Sequence, residues 1–111
     1  MTQLDELNNL ISQLDEAVRR LSYNGKVYAN AEREYKISLS ETALKLRQGD
    51  MAIGMIDKVI YGVKSVADKR FQRDVAEATY KANQEAINVY KLRIRILHEQ
   101  IQQDYGMTKF Q

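Results

Sequence analysis

The stretch that decides the fold is Ala76–Ile101, AEATYKANQEAINVYKLRIRILHEQI. Within it Ala76, Tyr80, Asn83, Ile87, Tyr90, Ile94, Leu97 and Ile101 recur at alternating steps of four and three. Steps of that size bring a residue back to one side of a helix, so the spacing describes a heptad seam. A further set, Val75, Ala78, Ala82, Ala86, Val89, Leu92 and Ile96, widens the apolar face beyond what two helices need. Upstream, Ser65-Val66-Ala67-Asp68 has the form of a capping box and predicts the helix start near 65. Tyr105-Gly106 predicts its close, with residues 106–111 as a frayed tail.

The first half carries a matching helix. Thr2-Gln3-Leu4-Asp5 is another capping box. Beyond it Leu4, Leu7, Ile11, Leu14, Val18, Leu21, Tyr28, Tyr35, Leu39 and Leu46 form a stripe interrupted by Gly25 and Glu32. Asn24-Gly25 is a common turn signal. A glycine inside a helix costs only about 1 kcal/mol relative to alanine, and the stripe resumes in register beyond it. An unbroken helix over about 3–48 is therefore expected, with another backbone packed against Gly25. Gly49 is the expected left-handed cap. Residues 49–64 form a connector with an apolar cluster (Met51, Ile53, Met55, Ile56, Val59, Ile60, Tyr61) and one short helix near 55–61.

Composition agrees. With no proline and five glycines in 111 residues, few places exist to turn, and long helices follow. The fold class expected is all-α: one domain, a long antiparallel two-helix hairpin of coiled-coil type with a short connector helix. Two helices leave apolar surface over, so packing into a helical bundle by oligomerisation is expected, a homodimer first. Asn83 on the seam reads as a register-setting polar residue.

Charge and chemistry exclude much. Net charge is +2, short of a polybasic nucleic-acid binder. Without cysteine, no disulfide or thiol chemistry is available. The one histidine, His98, has Arg95 rather than a glutamate three residues before it, unlike a carboxylate-bridged metal helix. Gly49, Gly54 and Gly62 are too far apart for a phosphate loop. No catalytic residue, cofactor or metal is expected, and the chain reads as a binding protein. The start at Met1-Thr2-Gln3 lacks the basic-then-apolar pattern of a signal peptide, and no apolar run suffices to span a membrane. A cytoplasmic location and no membrane partner are expected.

Two candidate surfaces follow. Met51, Ile53, Met55, Ile56, Ile60 and Tyr61 would meet a protein partner at the connector. Lys64, Lys69, Arg70 and Arg73 could meet nucleic acid there, with Tyr61 and Phe71 near enough to stack on bases. Against the second stand the interleaved Glu41, Asp50, Asp57, Asp68 and Asp74, able to pair with these cations.

The residues also resemble a family. Tyr28-Ala29-Asn30-Ala31-Glu32 followed by Tyr35-Lys36, then Arg73-Asp74-Val75-Ala76-Glu77-Ala78, Tyr80-Lys81-Ala82-Asn83, Glu85-Ala86-Ile87-Asn88, Lys91-Leu92, Arg95-Ile96-Leu97 and Gln100-Ile101 carry the likeness. They resemble small helical proteins of temperate phages and prophages of Gram-positive bacteria. That resemblance spans most of residues 25–106. It implies a phage or prophage origin and a host cytoplasm, but no activity, since that family is mostly of unknown function. The connector departs from the family's, which is richer in proline. The function expected is a phage-encoded helical interaction factor that modulates a host or phage protein. The alternative is an accessory DNA-binding factor in phage replication or recombination.

Overall fold

The computed structural model describes residues 2–110, with side chains over 2–106. Helix α1 spans Gln3–Gln48, α2 spans Ile53–Val59 and runs into a 3-10 turn at Ile60–Gly62, and α3 spans Lys64–Phe110. The fold is all-α: two long helices joined by a short connector helix. Contacts divide the chain into two units, one from Met1–Tyr23 with Lys81–Gln111, the other Asn24–Tyr80. Both long helices contribute to each.

In the first unit, the predicted capping box closes in both directions. Asp5 N–H donates to Thr2 Oγ1 at 3.1 Å, and Thr2 N–H donates to Asp5 Oδ2 at 3.3 Å. Gln3 reaches Asp104 at 3.0 Å, and Asn83 Nδ2 donates to the Ala17 carbonyl at 2.9 Å, so the segments run antiparallel. On α3 the seam is the one read from the sequence: Asn83, Ile87, Tyr90, Ile94, Leu97 and Ile101 are buried or half-buried. On α1 the seam is Leu7, Leu10, Leu14, Ala17 and Leu21, whereas Leu4, Ile11 and Val18 are exposed. The expected stripe was thus right in one column and one residue off in the other. The physical reason lies at Ala17. A small side chain there lets Asn83 reach the main chain, and that places Ala17 inward and Val18 outward.

The second unit is built on a cluster of Tyr35, Ile56, Ile60 and Val66, with Leu39, Ala43, Leu46, Met51 and Val63 packed around it. Val66 is fully enclosed, at 0% exposure. α1 passes Gly25 unbroken, as expected. What crowds Gly25 is the Tyr80 ring rather than a backbone: a Cβ there would lie 3.3 Å from Tyr80 Cε2. Tyr80 in turn packs on Tyr28, ring centroids 6.0 Å apart.

Several helix ends differ from expectation, the connector helix among them: it starts at Ile53, two residues before the expected 55, and ends at Val59. α1 stops in a Schellman motif, with Asp50 N–H donating to the Arg47 carbonyl at 3.0 Å and Met51 N–H to the Leu46 carbonyl at 3.2 Å. The left-handed residue is Asp50, φ 66°, and not Gly49. The motif needs that conformation one residue after the helix's last half-turn position, and aspartate tolerates it better than most residues. α3 starts at Lys64, one residue before the box at Ser65: Val63 is extended, φ −66° and ψ 128°, and its carbonyl accepts Ala67 N–H at 2.9 Å. α3 also continues through Gly106 to Phe110. No described glycine has positive φ, so Gly106 makes no left-handed cap. Gln111, the end of the expected frayed tail, lies outside the described residues.

Candidate interaction surfaces

The connector tip belongs wholly to the second unit. After α1 ends, Ala52 is extended and its carbonyl accepts the N–H of Met55 and of Ile56, both at 3.0 Å, which opens α2. The step of four from Ile56 to Ile60 puts both inward, and both are buried. Ile53, Met55, Val59 and Tyr61 are exposed, Ile53 at 66% and Met55 at 49%. The structure therefore divides the predicted partner surface. Ile56 and Ile60 are core, Met51 is half-buried against that core, and Ile53, Met55 and Tyr61 remain available. Val59 joins them, a residue left out of the predicted surface.

The four predicted nucleic-acid contacts are mostly engaged. Lys64 binds Asp68 at 2.9 Å, and this pair holds its ammonium above its usual pKa, first through the hydrogen bond and then through the charge. Lys69 crosses to Glu34 at 3.0 Å, and holds that carboxyl below its usual range in the same way. Arg73 bonds Glu32 at 3.1 Å and Asp74 at 2.8 Å, with its guanidinium 4.7 Å from the Tyr35 ring centre. Its pKa is raised, by the hydrogen bond to Glu32 first and that to Asp74 second. Arg70 stands over the Tyr61 ring at 5.8 Å. Interleaved Asp68 and Asp74 do pair as anticipated, but Glu32 and Glu34 come from the facing helix. Sequence proximity gave no sign of them. In the other unit Arg19 and Arg20 pair within their own helix, with Asp15 and Glu16.

A groove of about 280 Å³ in the same unit was not foreseen. It is lined by Asn24, Val27, Phe71, Val75, Ala76 and Thr79. Its signal in the sequence was the exposed pair Phe71 and Val75, four apart on α3. His98 lies on an exposed stretch of α3. Among the described residues, no cluster of three or more His, Asp or Glu side chains is set to hold a metal ion, and no helix is long and apolar enough to cross a membrane. Comparison with protein families, curated proteins and solved structures returned no match.

Proposed function

We propose that this chain is a small helical protein-interaction factor, phage- or prophage-encoded as its resemblance implies, which modulates a host or phage protein held at its connector tip. The observation that carries this reading is the exposed apolar side chains of the tip. Ile53, Met55, Val59 and Tyr61 are exposed on a short segment that buried Ile56 and Ile60 anchor to the core. Single exposed hydrophobes are ordinary, but several gathered on one anchored segment suit a partner. Methionine and tyrosine also supply adaptable and large contact area.

Self-association belongs to the same reading. Among the residues whose side chains are described, sixteen large hydrophobic side chains are exposed against eight hydrophobic residues buried. A host-cytoplasmic setting follows from the resemblance. The DNA-binding alternative ranks below, because a phosphate would have to displace a carboxylate from Lys64, Lys69 and Arg73. It predicts binding that falls steeply with salt.

The test is capture from nuclease-treated host lysate by the tagged chain and by a variant carrying Ile53→Ser, Met55→Ser and Tyr61→Ser. One protein retained by the first and lost by the second, at equal helicity, supports the tip. Equal retention by both would remove the tip from the reading. Recovery of DNA-associated proteins only when nuclease is omitted would put the DNA alternative first.

A further inference from the structure

In the second unit α1 and α3 are tied to each other directly. Glu34 meets Lys69 at 3.0 Å, Glu32 meets Arg73 at 3.1 Å, and Tyr28 packs on Tyr80 with ring centroids 6.0 Å apart. The segment Ala52–Gly62, which holds α2 and the 3-10 turn, is attached differently. Its buried side chains are Ile56 and Ile60, both in the cluster with Tyr35 and Val66. Among the described residues, no ion pair or side-chain hydrogen bond joins this segment to either long helix. Its one charged contact is Tyr61 beneath the Arg70 guanidinium, 5.8 Å from the ring centre and near the outer reach of such contacts.

The segment is also weak in itself. α2 has seven residues, well short of the length at which a helix holds in water without tertiary support. Its N-cap, Ala52, makes no side-chain cap bond, and its first turn has no acid to meet the helix dipole. Gly54 lies inside α2 and Gly62 ends the 3-10 turn. Neither has positive φ, and a Cβ on either would meet nothing within 4 Å. The folded geometry therefore calls for glycine at neither place. What glycine does there is enlarge the set of conformations open to the segment once it leaves the core. At its two ends the chain passes through extended residues, Ala52 with ψ 142° and Val63 with ψ 128°. Such positions at the ends of elements are where a segment can turn as a body.

We propose that Ala52–Gly62 is a strap that opens as one unit while α1 and α3 stay paired. Closed, it seals Tyr35 and Val66; open, it bares them together with Leu39 and Leu46, an apolar surface that the closed tip does not present. Proteins open in cooperative pieces at lower free energy than global unfolding, and the piece joined to the rest by two isoleucines is this one. The inference concerns the chain itself and is independent of what the tip holds.

The experiment is native-state hydrogen exchange of the full chain, read by NMR across a urea series below the unfolding transition. Four amides report on the strap: Met55 and Ile56, bonded to the Ala52 carbonyl, Ile60, bonded to that of Ile56, and Val63, bonded to that of Ile60. They are expected to share one protection and one urea slope, to exchange at least about tenfold faster than the amides of Leu39 and Ala76, and to show a smaller slope than those. Gly54→Ala should slow all four by about fivefold, through helix propensity gained where a Cβ has room. Should that variant fold poorly, Gly62→Ala asks the same question and should slow them by about two- to fivefold. Strap amides with the protection and slope of Leu39 and Ala76 would show that the tip opens only with the whole fold, and would overturn the strap. Four unequal protections without urea dependence would mean residue-by-residue fraying and would overturn it as well, as would alanine variants that fold normally and leave the four rates unchanged.

Discussion

The same two helices are held together differently in the two units. Around Tyr35 a third element, α2 with its 3-10 turn, covers the seam, and the result is an enclosed core with Val66 fully buried. In the unit of Ala17, Ile87 and Leu97 the described residues bring no third element, and large side chains such as Ile11, Val18, Leu92 and Ile96 stay exposed beside the seam. Polar ties differ as well. The tip unit uses ion pairs between helices, Glu34 with Lys69 and Glu32 with Arg73, while the other uses amides, Asn83 to the Ala17 carbonyl and Gln3 to Asp104. A two-helix seam can set register, but enclosing a core takes a third surface.

The comparison breaks most readily at Ile60. Ile60→Ala should cost about 2–5 kcal/mol in urea unfolding, because it empties part of an enclosed core. Ile11→Ala, in the exposed column of the other unit, should stay within about 0.5 kcal/mol. Equal losses at the two positions would mean that α1 uses the Ile11 column after all. Next in size, Asn83→Ala should cost about 1 kcal/mol by removing the bond to the Ala17 carbonyl.

Smaller effects sharpen the tip. Asp50→Gly should stabilise by about 0.5–1 kcal/mol by relieving a left-handed aspartate. Gly49→Ala should change little, since a Cβ there meets nothing nearer than the Leu46 carbonyl at 3.5 Å. The opposite ranking would return the cap to Gly49. The least effect is electrostatic. Glu34 is held below its ordinary carboxyl value of 4.5 by the hydrogen bond and charge of Lys69. A lowered folded pKa gives stability that is present above the unfolded value and lost as pH falls through the folded one. Acid unfolding should therefore show a small loss beginning near pH 4.5 and continuing below it, and Lys69→Met should flatten that part of the curve. Both groups are half-exposed, so salt should shrink the effect.

Much of this was legible in the sequence and some was not, for identifiable reasons. The α3 seam was readable because Ile87, Ile94 and Leu97 are large and continue, with Tyr90 and Ile101, in unbroken steps of four and three. On α1, Leu10 beside Ile11 and Ala17 beside Val18 offer two apolar columns. Size favours the wrong one at 17 and 18, and only the bond from Asn83 on the other helix decides. At the tip, the apolar cluster was visible, but its division into buried Ile56 and Ile60 and exposed Ile53 and Met55 depends on which way a seven-residue helix is turned. The engagement of Lys69 and Arg73 was hidden because Glu34 and Glu32 lie on the facing helix, far away in the chain. Val66 read as part of a cap, and nothing local marked it as the most buried side chain.

The seven-residue phase of α3 also limits how this chain can change length. One residue inserted after Tyr90 would turn everything beyond it by about 100°, carrying Ile94 and Leu97 off the seam. A block of seven would return the seam to phase, provided α1 lengthened by seven opposite it. Drift in length within this unit is thus quantised. Related chains should differ there by whole heptads, gained or lost in both helices together.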